Sequence, residues 1–242
     1  MSNIIDSIQL SGTVYTIQGT GGGGKAIEAG RGISVTTGET ADTVSFSLPI
    51  SAGTGTNSII EGYRLNKATN ECSHAEGNGT SGTGFYSHAE GYYTKAGGNS
   101  SHAEGVYTEA TQSASHSEGQ YTRAFGSYSH SEGYLTTANT ESSHAEGRYT
   151  KTSNRSEHAS GEYNNSVSAS TTFGNSGNTL FSVGNGTYDN TRHNAFEIRQ
   201  NGDIYITING NDVLLQDYIT ELERITAKAL TDLDARLKAL EP

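Results

Sequence analysis

The stretch YSHAEGYYTKAGGNSSHAEGVYTEA, Tyr86 to Ala110, writes the pentapeptide SHAEG twice, 14 residues apart. Working outward from it, histidine returns at His74, His88, His102, His116, His130, His144 and His158, always in steps of 14. A glutamate stands two places after six of them, at Glu76, Glu90, Glu104, Glu118, Glu132 and Glu146, with Ser160 after the seventh. Glycine follows in all seven, from Gly77 to Gly161. The period also halves: Ala89, Ala96, Ala103, Ala110, Ser117, Ala124, Ser131, Ala138, Ala145, Thr152 and Ala159 place a small residue every 7 positions.

A repeat this short points to a solenoid. Heptad helices are a poor alternative, because Gly, Ser and Thr fill the places where Leu or Ile should recur. Two short strands per coil remain. Alternate residues of a strand face opposite ways, so in SHAEG the Ser and Ala share one side and the His and Glu the other. Only a narrow interior explains Ala or Ser at every such place, so the small residues point inward. Thr94, Thr108, Thr122, Thr136 and Thr150 line up inward beside them and are expected to form a hydrogen-bonded ladder. Seven coils at about 4.8 Å each predict a rod of about 34 Å.

Composition agrees with a thin core. Of 242 residues 32% are hydrophobic, Trp is absent and Gly reaches 31, so stabilisation must come from regular stacking, partner chains or both. The net charge of −11 argues against nucleic-acid binding, which needs clustered Lys and Arg. Cys72 is the only cysteine; it excludes an intrachain disulfide and reads as a small, half-buried thiol. The opening MSNIIDSIQL lacks a signal-peptide pattern, and no stretch approaches the ~20 apolar residues of a membrane span, so a soluble chain without membrane insertion is expected.

The S-x-A-x-G half-repeat on a 14-residue period resembles the left-handed parallel β-roll of YadA-like heads in trimeric autotransporter adhesins. The SHAEG wording resembles repeats of bacteriophage fibre and tail-appendage proteins. The likeness covers about residues 73–161 and implies an all-β, left-handed, trimeric roll. In the adhesin family the outward residues of the first half-repeat pack against two other copies around a threefold axis. That resemblance puts the ladder from His74 and Glu76 to Glu146 and His158 in a polar trimer seam. Lys95, Glu109, Arg123, Thr137 and Lys151 vary at the outward place of the second half, as a solvated face would.

Glutamates stacked about 4.8 Å apart repel unless hydrogen-bonded, and an imidazole N–H from a neighbouring coil or chain is the obvious donor, giving a His–Glu network that fixes register and stoichiometry between chains. Such pairing would raise the histidine pKa values. Solvated decoration, metal binding and catalysis are the rival readings of the ladder. Metal is set aside because a row of identical sites is an odd way to keep one ion, and no cofactor is expected. Catalysis is set aside because six equivalent pairs have no distinct nucleophile or pocket, and His193, outside the ladder, has no evident partner set. Tyr93, Tyr107, Tyr121, Tyr149 and Tyr163 form a second column, broken by Leu135, which reads as rings covering the edge of the roll or as a glycan-binding stripe.

Four parts are expected: an N-terminal attachment segment at 1–57, the roll at 58–170, a hairpin region at 171–210 and a coiled coil at 211–242. In the first, SIQLSGTVYTIQ reads as a strand or hairpin, GISVTT and DTVSFSLPI as strands and GTGGGGK as a hinge without Walker spacing. In the third, RQNGDIYI reads as a tight hairpin. FSVGNG with NAFEIRQNGDIYI resembles a segment near the C-termini of phage appendage proteins, some of which continue into a self-cleaving chaperone domain that this chain is too short to hold. In the last, Leu215, Tyr218, Leu222, Ile225, Ala229, Leu233, Leu237 and Leu240 form the coiled-coil core, with one stutter near Ala229.

The resemblance implies a non-enzymatic, homotrimeric virion protein. It would be made in the host cytoplasm, joined to other virion proteins by its N-terminal segment, and would adhere to a host surface, with glycan as a candidate ligand. A capsid head fibre and a bacterial adhesin passenger are the alternatives.

Overall fold

The structure is a computed structural model that describes residues 7–10, 13–16, 33–36, 43–46, 50–62, 65–168 and 172–240, with backbone alone before residue 52. The chain divides into two units, Met1–Leu48 and Pro49–Pro242. In the first, Ser7–Leu10 pairs antiparallel with Thr13–Thr16, and Ile33–Thr36 with Thr43–Phe46, as the alternating patterns predict. The expected Gly-rich hinge lies outside the described residues.

The second unit is a β-solenoid of 14-residue parallel coils. Each coil adds one strand to a long sheet, such as His88–Tyr92, and a two-residue strand to a short sheet, such as Lys95–Ala96. The register is unbroken: His88 faces His102, Ala89 faces Ala103, Glu90 faces Glu104 and Gly91 faces Gly105. The long sheet has 13 strands and the short one 7.

Two corners per coil hold non-glycine residues in the left-handed region. Tyr93, Tyr107 and Tyr121 stand at one (φ 53°, 55° and 56°), and Cys72, Tyr86 and Ser100 at the other (φ 51°, 58° and 55°). That conformation costs an L-residue roughly 1–2 kcal/mol. It also turns the amide back: Tyr107 N–H donates to Tyr92 O at 2.8 Å, in the preceding coil, while strand residues such as His88 donate to the following coil. Cys72 is therefore exposed and not half-buried, because its corner aims the side chain outward. The glycine after each Glu has its own reason. Gly91 sits at φ 110°, and a Cβ there would meet the carbonyl oxygen of Gly105 at 2.2 Å.

Between the sheets the apolar core is alanine. Ala75, Ala89, Ala96, Ala103 and Ala110 are fully buried, and among the described residues Tyr163 is the one large apolar side chain that is buried. The threonines point inward as expected, but they bond across the coil and form no ladder along it. Ser117 and Thr122 pair at 2.8 Å, as do Ser131 and Thr136. Where alanine takes the serine place, at Ala75, Ala89 and Ala103, the hydroxyls of Thr80, Thr94 and Thr108 have no partner. Ala145 is the exception, because Thr150 donates instead to the carbonyl oxygen of Glu146 at 2.9 Å.

After Gly161 the sequence repeat fades, yet the sheet continues: Thr179–Asn185 pairs parallel with His158–Glu162, placing Phe181 on His158 and Gly184 on Gly161. Asn194–Arg199, Ile204–Ile208 and Asn211–Leu214 follow antiparallel. The predicted tight turn at Asn201-Gly202 spans residues 200–203, closed by Arg199 N–H to Asp203 O at 2.9 Å, and Gly202 (φ 92°) supplies its positive φ. The helix Leu215–Lys238 ends the chain's described structure and buries none of its residues. Among the described residues, no helix is long and apolar enough to cross a membrane.

The hydroxyl pairing is testable in thermal unfolding. Ala103→Ser should give Thr108 its partner and stabilise by about 0.5–1.5 kcal/mol, whereas Ser117→Ala should strand Thr122 and cost about 1–3 kcal/mol. Equal small losses from both would show that packing, not hydroxyl satisfaction, governs the core.

Candidate functional site: the histidine–glutamate face

The long sheet brings every member of the predicted ladder into one column. The imidazoles from His74 to His158 stack on one another, with centroids 4.5–5.0 Å apart and planes within 18° of parallel. Rings are wide enough to fill the gap between strands about 4.8 Å apart, so stacking follows from register alone. The column ends in apolar residues. Ile59 pairs with His74 at one end, and Phe181 meets the His158 ring edge-on at 5.2 Å at the other.

Beside the rings run the carboxylates. Nε2 of His88, His102, His116 and His130 lies 3.5, 3.7, 3.8 and 3.9 Å from Glu90, Glu104, Glu118 and Glu132 of the same coil. His144 and His158 lean to the preceding coil, toward Glu132 at 4.0 Å and Glu146 at 3.4 Å. His74 faces Glu61 at 3.5 Å. Only the His158–Glu146 contact is within hydrogen-bond reach. The expected hydrogen-bonded network is therefore not formed within one chain. Nε2 of six histidines, His74 to His144, is buried without a hydrogen-bond partner.

Within one chain three of the rings shift downward, not upward as pairing would require. His88, His116 and His144 are held below the ordinary value. Burial is the largest cause, and the neighbouring imidazoles oppose a second positive charge. For His88 those neighbours are His74 and His102, and they outweigh the pull of Glu90 and Glu76. A carboxylate about 3.5 Å off and partly in solvent is too well screened to reverse this.

Two residues of this column, and one buried beside it, escaped the sequence reading. Glu61 extends the glutamates by one coil, since it pairs with Glu76, but its offset is 15 residues and not 14. The string IIEG, matching HAEG in its last two letters, was the available signal. Phe181 was hidden by the longer excursion before it. Glu157 occupies the place of Ser73, Ser87 and Ser101, fully buried. Its Oε2 accepts from the Ser153 and Asn154 amides and from the Asn154 and Ser166 side chains at 2.8–2.9 Å, while Oε1 has no partner. Burial pushes its pKa up to about 7 against those hydrogen bonds.

The tyrosine column is present but split. Tyr93, Tyr107 and Tyr121 stack at 5.4 and 5.2 Å, and Tyr149 with Tyr163 at 4.4 Å, with Leu135 between the groups. Arg148 lies over Tyr149, and Arg192 over Tyr163. The first three rings are about two-fifths exposed, so they cover the corner and still offer faces to a ligand. On the helix, Tyr218, Leu222, Ile225, Leu233 and Leu237 are exposed as a coiled-coil seam requires, and so are Ile219 and Leu230, which the 3-4 spacing passed over. His193, expected to lack partners, contacts Asp212 at 3.1 Å and Asn185 at 2.6 Å.

No protein-family model matches the chain, and no curated protein matches its sequence.

The lowered histidine values fix a sign. Below the ordinary 6.5 the unfolded chain takes up protons that these rings resist, so the stability they support is full above about pH 6.5 and lost as pH falls through their folded values. Glu157 acts oppositely: its raised value makes stability fall as pH climbs from 4.5 toward 7. In a Glu157→Gln variant the melting temperature should therefore drop steadily from pH 7.5 to pH 5. A melting temperature that rises on acidification would show charged, glutamate-paired rings instead.

Proposed function

We propose that this chain is a structural virion protein, a homotrimeric bacteriophage fibre or tail appendage that adheres to a host surface. The observation that carries the reading is the C-terminal helix. Leu215 is half-buried at its start, but beyond it the apolar face, from Tyr218 through Leu222 and Ile225 to Leu237, is exposed, and most helical stability comes from packing such a face. Further copies of the same helix are the occupant that fits, because Leu and Ile recur at coiled-coil spacing and the charged pairs Glu221–Arg224 and Asp234–Lys238 lie off that face.

The roll supports the same reading. A core of alanine and hydroxyl side chains stabilises weakly, so a rod built this way gains from lateral partners. The His–Glu face is the seam we assign to those contacts: it is written identically in coil after coil, whereas the opposite outward face varies. Three copies are preferred to two on the resemblance to trimeric adhesin rolls, and the virion setting rests on the SHAEG wording. The exposed tyrosine triplet is the surface we assign to a host glycan.

Light scattering on the purified chain should return three times 25.5 kDa, and Leu222→Asp with Ile225→Asp should break that assembly. A monomer under native conditions would overturn the fibre reading. Antibody against the roll, viewed on virus particles, should label the tail; label over the shell would make the protein a head fibre, and bare particles would remove it from the virion.

A further inference from the structure

The same face has donors arranged for cations. Among the described residues, five groups of side chains along it place two imidazole nitrogens and one carboxylate oxygen within 4.8 Å of one another, among them His74–Glu76–His88, His102–Glu104–His116 and His130–Glu132–His144. Each group is drawn from one chain, so it does not depend on the assembly proposed above. Six of the Nε2 atoms are buried with no hydrogen-bond partner, which leaves their donor or acceptor capacity unused. An open groove runs beside them, lined by Glu104, Glu118, Glu132 and Glu146 and by the glycines of the column.

We propose that the ladder binds first-row divalent transition metal ions such as Zn2+, each held by two successive histidines and the glutamate between them, and that the ions occupy alternate gaps. The donor set suits zinc, which takes imidazole nitrogen and carboxylate oxygen at about 2.0–2.2 Å and leaves a fourth position open when three protein ligands are present. Two ligands of a tetrahedral ion at such bond lengths stand roughly 3.3–3.5 Å apart. The His–Glu separations of 3.5–3.9 Å are already close to that. Stacked rings must turn toward one another to share an ion, and they are free enough to do so, being about a third exposed.

Alternation follows from chemistry. An imidazole offers its Nε2 lone pair to one ion at a time, and a ring that turns toward one neighbour turns away from the other. Seven histidines taken in pairs hold three ions and leave one ring over, with neighbouring ions about 10 Å apart, two coil spacings. Each ion would relieve the repulsion of the glutamate column and tie two coils together. Binding requires neutral rings, so it should weaken below about pH 6.

Alternation also makes the effect of removing a histidine depend on its place. Without His116 the column falls into two runs of three rings, each able to hold one ion. Without His102 it falls into runs of two and four, which hold one and two. Equilibrium dialysis of the full chain against Zn2+ at pH 7.5, with metal counted by mass spectrometry, should give three ions per chain for the wild type and for His102→Gln, and two for His116→Gln. Far-UV circular dichroism checks that each variant keeps its roll. The His102→Gln variant also fixes the register, so adding Glu118→Gln should weaken one of its three sites while adding Glu132→Gln weakens none. No bound Zn2+, six ions per chain, or an equal loss from His102→Gln and His116→Gln would each overturn the proposal.

Discussion

The distance between coils rules this molecule. Each coil lies on the last at the spacing of parallel strands, held by backbone hydrogen bonds of about 2.8–3.0 Å from one coil to the next. Once that stacking is adopted, two sheets joined by two corners every 14 residues stand so close that Ala, Ser and Thr fill nearly all the space between them, with Glu157 a buried exception. The corners require positive φ at bulky residues, and the backward hydrogen bonds from Tyr93, Tyr107 and Tyr121 offset part of that cost. Burial of apolar area, the usual driving force, is secondary here, because fully burying a methyl yields little compared with a large aliphatic side chain.

Register has a second consequence: whatever one coil presents, the next presents about 4.8 Å away. For imidazoles that is tolerable, since neutral rings stack. For carboxylates it is not, since a Glu loses its charge only at acid pH or when deeply buried. The glutamates line an open groove, where solvent screens them, and the rings beside them are about as exposed but keep most of their Nε2 atoms buried. Burial and the imidazoles above and below explain why His88, His116 and His144 resist protonation despite standing beside acids. Ile59 and Phe181 close the column with apolar side chains, so no terminal imidazole is left with an open face.

How much of this was legible depended on whether a residue obeyed the period. The coil length, the inward Ala, Ser and Thr and the column membership of every ladder residue follow from counting 14. Glu61 and Phe181 belong to the same column but break the count, by a one-residue insertion and by a long excursion. The sign of the histidine shift was not legible, because it depends on a distance: 3.5 Å and partial burial favour the neutral ring, whereas a true hydrogen bond would favour the charged one. Nor were the unpartnered hydroxyls of Thr80, Thr94 and Thr108, since counting places them inward without showing what faces them. Glu157 was visible as an oddity in the serine column, but its four donors come from a loop with no repeat to predict it.

A solenoid held by nearest-neighbour stacking has an open edge at each end, and an open edge invites another chain. Here the edges are managed. At one end the long sheet finishes in Ile50–Ala52, paired antiparallel to Ile59–Gly62, so the outermost strand does not repeat the coil template. At the other, the antiparallel strands through Asn211–Leu214 cover the last coil, and Arg192 donates to the carbonyls of Tyr149 and Asn164. The short sheet ends in two-residue strands bearing Lys67 and Lys151, too brief and too charged to recruit a partner. Among the described residues, then, neither end of the long sheet presents a repeat strand as its edge.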